Sequence, residues 1–245
     1  MEDKALLSTE EASRAEKAEL LIVIPAYNEA ENIERVVNHL TANFPQYDYV
    51  VVNDGSRDET AAICQRNGYN LLNLPVNLGL AGAFQAGLKY ADKYGYQYAV
   101  QLDGDGQHRP EYLESMIKKM EEGYDIVIGS RFVGEKKPFT MRMLGSNLIE
   151  MAIRFTTGVN IKDPTSGMRM FSKRMIREFA SGLNYGPEPD TVSYLIRQGA
   201  RVAEVPVIMD ERILGVSYLT PVNAMRYMLK MLISILLIQN FRKRR

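Results

Sequence analysis

The chain has 245 residues, and its 30 Lys plus Arg balance 30 Asp plus Glu, so the formal net charge is zero. That length suits one large domain with a sizeable core, and the balanced charge argues against nucleic-acid binding through a basic surface. The single cysteine, Cys64, excludes an intrachain disulfide framework and fits a reducing compartment.

Residues 1–18 are polar and lack the apolar stretch of a secretory leader, so they read as a polar extension. Residues 20–24 (LLIVI) form a short apolar run closed by Pro25, the pattern of a buried strand. Ile33, Val36, Val37 and Leu40 recur at helical spacing. Residues 49–52 (YVVV) predict a second strand ending in Asn53-Asp54-Gly55-Ser56, where Ser56 and Glu59 predict a capping box for the next helix. Residues 69–74 predict a third strand and residues 80–94 a helix rich in small residues. Residues 98–102 predict a fourth strand, which runs into Asp103-Gly104-Asp105. Pro110 opens a helix with Leu113, Met116, Ile117 and Met120 on its apolar face. Residues 125–128 predict a fifth strand, followed by Gly129-Ser130-Arg131.

This alternation predicts an α/β fold with a mostly parallel central sheet and helices on both faces. Such sheets bind ligands at the carboxyl ends of their strands. Three of those ends carry polar groups: Tyr27-Asn28-Glu29, Asn53-Asp54 and Asp103-Gly104-Asp105. After residue 128 the alternation breaks. A helix over 138–157, strands over 167–171 and 201–209, and a helix ending at Gln198 are expected to complete the sheet.

Residues 231–238 are mostly apolar but too short to span a bilayer. Met225, Met228, Leu229 and Leu232 share one helical face that Leu236 continues, and Arg242-Lys243-Arg244-Arg245 follow. Residues 220–245 therefore predict an amphipathic helix with a basic tail lying on a membrane surface. The alternative is a core or homo-oligomer interface helix.

Two carboxylates one residue apart on a turn suit a hard divalent cation, and magnesium draws its remaining ligands from phosphates and water. Gln107 offers a further carbonyl ligand. His108 either ligates or orients the loop. There is no Cys/His cluster for zinc, no phosphate-binding Gly-rich loop ending in Lys-Ser/Thr and no Gly-x-Ser-x-Gly elbow.

The stretches IPAYNEAENI, VVNDGSRDET, NLGLAGAFQAG, LDGDGQHRPE, IGSRF and DPTSGMRMF, in this order, resemble the motifs of glycosyltransferase family 2, in its polyprenyl-phosphate (dolichol-phosphate-like) hexosyltransferase branch. The resemblance covers about residues 20–219. It implies a GT-A nucleotide-diphospho-sugar transferase fold, with residues 19–219 as the catalytic domain. It also implies Mg2+ or Mn2+, a nucleotide-diphosphate sugar donor (UDP-glucose ahead of GDP-mannose) and an undecaprenyl or dolichyl phosphate acceptor. The enzyme would work as a peripheral protein on the cytoplasmic face of the membrane.

Carried over by motif, Pro25, Tyr27 and Glu29 hold the nucleotide and Asp54 contacts its base. Asp103, Asp105 and Gln107 hold the metal and diphosphate. Arg131, Arg142 and Ser146 receive the acceptor phosphate, and Arg212 faces the donor phosphates. Asp105 and Arg131 are the leading catalytic candidates. The family's Gly-x-Ser-Lys is altered, with Tyr218 following Ser217. Glu188 and Asp190 sit where other branches keep a base; Asp190 is the second-tier catalytic candidate, or else it caps the helix after it. A phosphomonoester acceptor is already largely a dianion at pH 7, so it needs arginines more than a base, and direct attack inverts the anomeric carbon. The competing readings are a family 2 enzyme extending a cell-surface polysaccharide with Asp190 as base, and a non-catalytic membrane-associated scaffold.

Overall fold

The computed structural model describes residues 19–135, 137–138, 140–182, 186–210 and 221–241. Among these, β1 (Leu20–Ala26), β2 (Asp48–Asp54), β3 (Leu71–Leu74), β4 (Tyr98–Gln101), β5 (Ile126–Ser130), β6 (Arg169–Ser172) and β7 (Val202–Pro206) form one sheet. Their spatial order is β3-β2-β1-β4-β6-β5-β7. β6 runs antiparallel to both β4 and β5, and the other pairs are parallel.

Successive residues of β1 feed two separate cores. Leu21 and Val23 face one side, and Leu20, Ile22 and Ile24 face the other. This double burial explains the unbroken apolar run, because a strand covered on both faces has no solvent side to carry polar residues. Each such side chain contributes about 1.5–3 kcal/mol. The helices α1 (Ile33–Asn43), α2 (Thr60–Arg66) and α4 (Leu113–Glu121) cover one face. The opposite face carries α3 (Gly79–Tyr94), α5 (Met141–Thr157), α6 (Lys173–Ser181), α7 (Pro189–Arg197) and α8 (Pro221–Leu236).

Several local expectations change. No capping box forms at α2: Glu59 occupies the N-cap without a side-chain bond, and Ser56 Oγ instead accepts from Asn28 N at 3.0 Å. Ser56 is drawn into a contact between two loops, and Asp58 Oδ1 accepts from Thr60 N at 3.0 Å in its place. α5 starts three residues later than expected, at Met141, because Thr140 Oγ1 caps it by accepting from Met143 N at 3.2 Å. α6 was not foreseen from the pattern. Ser172 Oγ caps it from the end of β6, and Met175, Ile176 and Phe179 bury its inner face. β7 ends at Pro206 rather than 209.

α8 packs along α5 and against α7. The apolar face expected of it divides in two. Met228 and Leu232 join buried Met231 and Ile235 in the core, while Met225, Leu229, Ile233 and Leu236 stay exposed. The basic tail at 242–245 lies outside the described residues.

Candidate active site

The chain passes from β1 outward through β2 and β3, then returns to lay β4 on the other side of β1. The switch between β1 and β4 opens a crevice at their carboxyl ends, the usual ligand position in such sheets. Asp103 and Asp105 stand at this crevice, just beyond β4. Gly104 between them lies against the Pro25 carbonyl and the Glu29 side chain, so the first-strand residues and the acidic turn form one wall.

The turn is heavily braced. Asp103 N donates to His108 Nδ1 at 3.0 Å, which leaves the imidazole proton on Nε2, 3.5 Å from Asp103 Oδ2. His108 is buried and orients the loop by this pair of contacts. Asp105 Oδ1 accepts from Gln107 N at 3.0 Å, and Arg35 of α1 donates to the Asp105 carbonyl at 3.0 Å. Gln107 turns its Nε2 to the Asp210 carbonyl, 3.1 Å away. Asp210 is tied to Arg109, and that charged hydrogen bond holds the Asp210 carboxyl below its ordinary range.

The neighbouring strand end joins the same wall. Asn28 takes a left-handed backbone (φ +56°), and its Oδ1 accepts from Arg57 N at 2.9 Å. Glu29 N donates to Thr60 Oγ1 at 2.9 Å and Ala30 N to Asp58 Oδ2 at 3.0 Å. Burial pushes the Asp58 carboxyl up, but its bonds from the Thr60 hydroxyl and from the Thr60 and Ala30 amides outweigh this and lower it. Asp54 Oδ1 accepts from Leu78 N at 2.7 Å, at the start of α3. Gly55 has φ +63°, and a Cβ there would lie 2.6 Å from the Val76 and Asn77 backbone. Only glycine allows this strand end to meet the loop before α3.

Among the described residues, no three His, Cys, Asp or Glu side chains form a closed metal cage. Asp103, whose side chain is 35% exposed, and Asp105, at 8%, nevertheless fit a cation that takes one or two protein carboxylates and completes its shell with phosphate and water.

Beyond the crevice, Arg131 forms a two-pronged ion pair with Asp163. Nε lies 2.7 Å from Oδ2 and Nη2 2.8 Å from Oδ1, and Arg131 N donates to Oδ2 at 3.1 Å. Asp163 is 0% exposed. Glu204 in turn accepts from the Lys162 and Asp163 amides at 2.7 and 2.8 Å. Ser146 is also wholly buried, and its Oγ has no hydrogen-bond partner among the described residues. Arg142 lies one turn earlier on α5. Its side chain, and all of Arg212, lie outside what is described.

Two residues not anticipated as site residues, Arg169 and Tyr227, hold the second half together. Arg169 is fully buried and donates to the carbonyls of Ser166, Pro164 and Pro187, stapling two loops. Burial lowers its pKa, while nearby Tyr227, Glu188 and Asp163 counter that effect. Tyr227 of α8 donates to Glu188, and burial followed by the Glu188 charge pushes the phenol far above its ordinary range. Asp190 is not the N-cap of α7, which is Glu188. Its Oδ1 accepts from Thr191 N at 2.8 Å, and Oδ2 from Ser234 Oγ of α8 at 2.6 Å. A buried arginine and a partner on a distant helix leave no local sequence signal. Asp163 and Arg169 lie within DPTSGMRMF, which was legible as a motif but not residue by residue.

Residues 21–179 match the model described as glycosyl transferase family 2. The chain belongs to this family. The family 2 chain is 32% identical over 223 residues to the polyprenol monophosphomannose synthase of Mycolicibacterium smegmatis, covering 86% of this chain and 84% of that protein. It is 31% identical over 210 residues to the undecaprenyl-phosphate mannosyltransferase of Micrococcus luteus, covering 81% and 86%. It is thus a glycosyltransferase of the polyprenyl-phosphate branch. A solved structure of Mycobacterium tuberculosis glucosyl-3-phosphoglycerate synthase with Mn2+, UDP-glucose and phosphoglyceric acid shares the fold, with TM-score 0.65 and 18% identity over 98% of this chain and 85% of that one. The mannosyltransferase PcManGT of Pyrobaculum calidifontis, with GDP-Man and Mn2+, gives TM-score 0.60 at 18% identity over 82% and 59%. The fold is GT-A.

Proposed function

We propose that this enzyme moves a hexose from a nucleotide-diphosphate sugar to a polyprenyl phosphate, with inversion, at a membrane surface. The observation that carries this reading is the braced pair Asp103 and Asp105 at the switch between β1 and β4, on the same side of the sheet edge as the nucleotide-motif residues Pro25, Glu29 and Asp54. Asp103 and Asp105 would hold Mg2+ or Mn2+, with Gln107 beside them. When bound there, such a metal would supply charge stabilisation to a departing nucleotide diphosphate. Asp54 and Tyr27 border the nucleotide, and Arg212 is assigned to its phosphates.

On the acceptor side, Asp163 fixes the plane of the Arg131 guanidinium, which suits two-pronged phosphate recognition. Arg142 and the buried hydroxyl of Ser146 are assigned to the same phosphate. The names of the relatives support a mannosyl donor more than the UDP-glucose expected from sequence.

The membrane reading gains support from the outer surface. α5 exposes Leu144, Leu148, Met151 and Phe155, the last 86% exposed, beside the apolar stripe of α8. Exposed Arg226 and Lys230 punctuate that stripe, as expected where charged heads reach headgroups. No helix among the described residues is long and apolar enough to cross a membrane.

The test incubates purified protein, vesicles containing undecaprenyl phosphate, Mn2+ and labelled GDP-mannose, UDP-glucose or UDP-N-acetylglucosamine. One donor should give an organic-extractable, acid-labile product, lost on chelation and in Asp103→Asn and Asp105→Asn. No lipid product from any donor would sink the reading. A product whose formation depends absolutely on Asp190 would return weight to the base-dependent polysaccharide alternative.

A further inference from the structure

Glu204 stands on β7, the edge strand that pairs with β5. It lies opposite Ile128 in that ladder, and β5 runs on from Ile128 to Arg131. Val205 and Val207 pack into the core beneath α1, α2 and α4, while Val202 packs into the other core. Side chains alternate along a strand, so Glu204 faces the same side as Val202. A half-buried carboxylate there is costly unless its oxygens are bonded.

Both oxygens are bonded, and both to one stretch of backbone. Oε2 accepts from Lys162 N at 2.7 Å and Oε1 from Asp163 N at 2.8 Å. Two successive amides converging on one anion form a backbone nest. Bonds of this kind, with an ionised acceptor, are roughly twice as strong as neutral ones. The rest of the loop has its own anchors. Ser166 Oγ donates to the Gly129 carbonyl at 2.5 Å, and Arg169 donates to the carbonyls of Pro164 and Ser166. Those anchors all follow Asp163. What Glu204 holds is the backbone of Asp163 itself, and Asp163 offers its buried carboxylate to both prongs of Arg131. The plane of that guanidinium decides whether two parallel bonds to a phosphate can form.

We infer that Glu204 is a positioning residue for the acceptor phosphate. By holding the amides of residues 162 and 163 it sets where Asp163 presents its carboxylate, and through Asp163 it aims Arg131. This inference rests on the assignment of Arg131 to the acceptor phosphate above.

The test measures transfer to undecaprenyl phosphate in vesicles, with Mn2+ and the sugar donor that gives product, well below the Tm of every variant. Glu204→Gln is near-isosteric but turns an NH2 group on one of the two amides, donor against donor. The KM for lipid phosphate should rise about 3- to 10-fold, and the KM for the sugar donor should change less than 2-fold. In an Arg131→Lys background the same substitution should add less than 2-fold, because the fork it aims is already gone. Val202→Ala removes apolar packing from the same face of β7 and controls for lost stability; it should leave both KM values within about 2-fold. Four results would each overturn the proposal: an unchanged KM for lipid phosphate, an equal rise in both KM values, a full effect in the Arg131→Lys background, or the same rise in Val202→Ala. Should Glu204→Gln fail to fold, Glu204→Asp keeps the charge but draws the carboxylate back by one methylene. It is read by the same measurements, with the same refutations. Wild-type protein that gives no lipid product with any sugar donor would overturn the acceptor reading itself, and the role of Glu204 with it.

Discussion

Replacing Asp163 by alanine tests whether Arg131 is built as a braced pair. Asp163 is fully buried and accepts three hydrogen bonds from Arg131, two from the guanidinium and one from the backbone. Breaking a buried ion pair by removing one partner costs about 3–5 kcal/mol. The Arg131 side chain is 25% exposed, so part of its charge recovers water when freed. We therefore expect a loss of about 2–4 kcal/mol for Asp163→Ala, or roughly 6–12 °C in Tm at the midpoint of that range. Arg131→Ala leaves the buried carboxylate with the backbone donor but without the guanidinium, and should cost at least as much. The double variant should then be less destabilised than the sum of the singles by more than about 1 kcal/mol. Urea unfolding of the four proteins measures the cycle. Coupling below about 0.5 kcal/mol would refute the braced pair. In the transfer assay, Arg131→Lys keeps the charge but loses the planar fork, so the KM for lipid phosphate should rise more than the KM for the donor.

The exposed stripes on α5 and α8 predict that Phe155→Asp and Leu229→Asp each reduce co-sedimentation with anionic vesicles about 10-fold, from the lost burial of one large apolar side chain. Unchanged vesicle binding in both would show that lipid does not cover this face. Burial raises the Asp125 carboxyl, but Arg174, at 2.8 and 2.5 Å, and the Arg201 amide, at 2.9 Å, outweigh it and lower the pKa. A depressed folded pKa gives stability that is present above the unfolded value near 4 and lost as pH falls toward the folded value. The stability gap between wild type and Asp125→Asn should therefore narrow in urea titrations as pH falls below about 4, and a constant gap would contradict it. Gly55→Ala combines a left-handed backbone with backbone atoms 2.6 Å from the new methyl, so it should cost roughly 2–4 kcal/mol. A Tm within about 1 °C of wild type would show that the loop yields.

Much of the first half of the fold was legible because its signals are local. Buried parallel strands are continuous apolar runs, and the helices between them carry apolar residues every three or four positions, so β1 to β5 and their helices follow from patterning alone. The acidic turn was legible for a related reason: two carboxylates follow directly on an apolar run, and that abrupt change of polarity marks the end of a buried strand. The second half read poorly. α6 is capped by Ser172 directly from a strand, with no intervening turn residues to mark the change of period. β6 is antiparallel in a parallel neighbourhood, which no residue in it announces.

By itself the sequence determined the class of the fold, the family and the acids at the end of β4, since each depends on residues adjacent in the chain. Tertiary structure decided who partners whom. It spent Ser56 on Asn28 rather than on a helix cap, gave Arg131 to Asp163, and placed Gln101, Glu188 and Tyr227 around one cavity from a strand, a loop and the C-terminal helix. It also split the apolar face of α8 between core and surface. These outcomes turn on which elements meet in space. That is set by the packing of two cores on one sheet, and no stretch of consecutive residues encodes it.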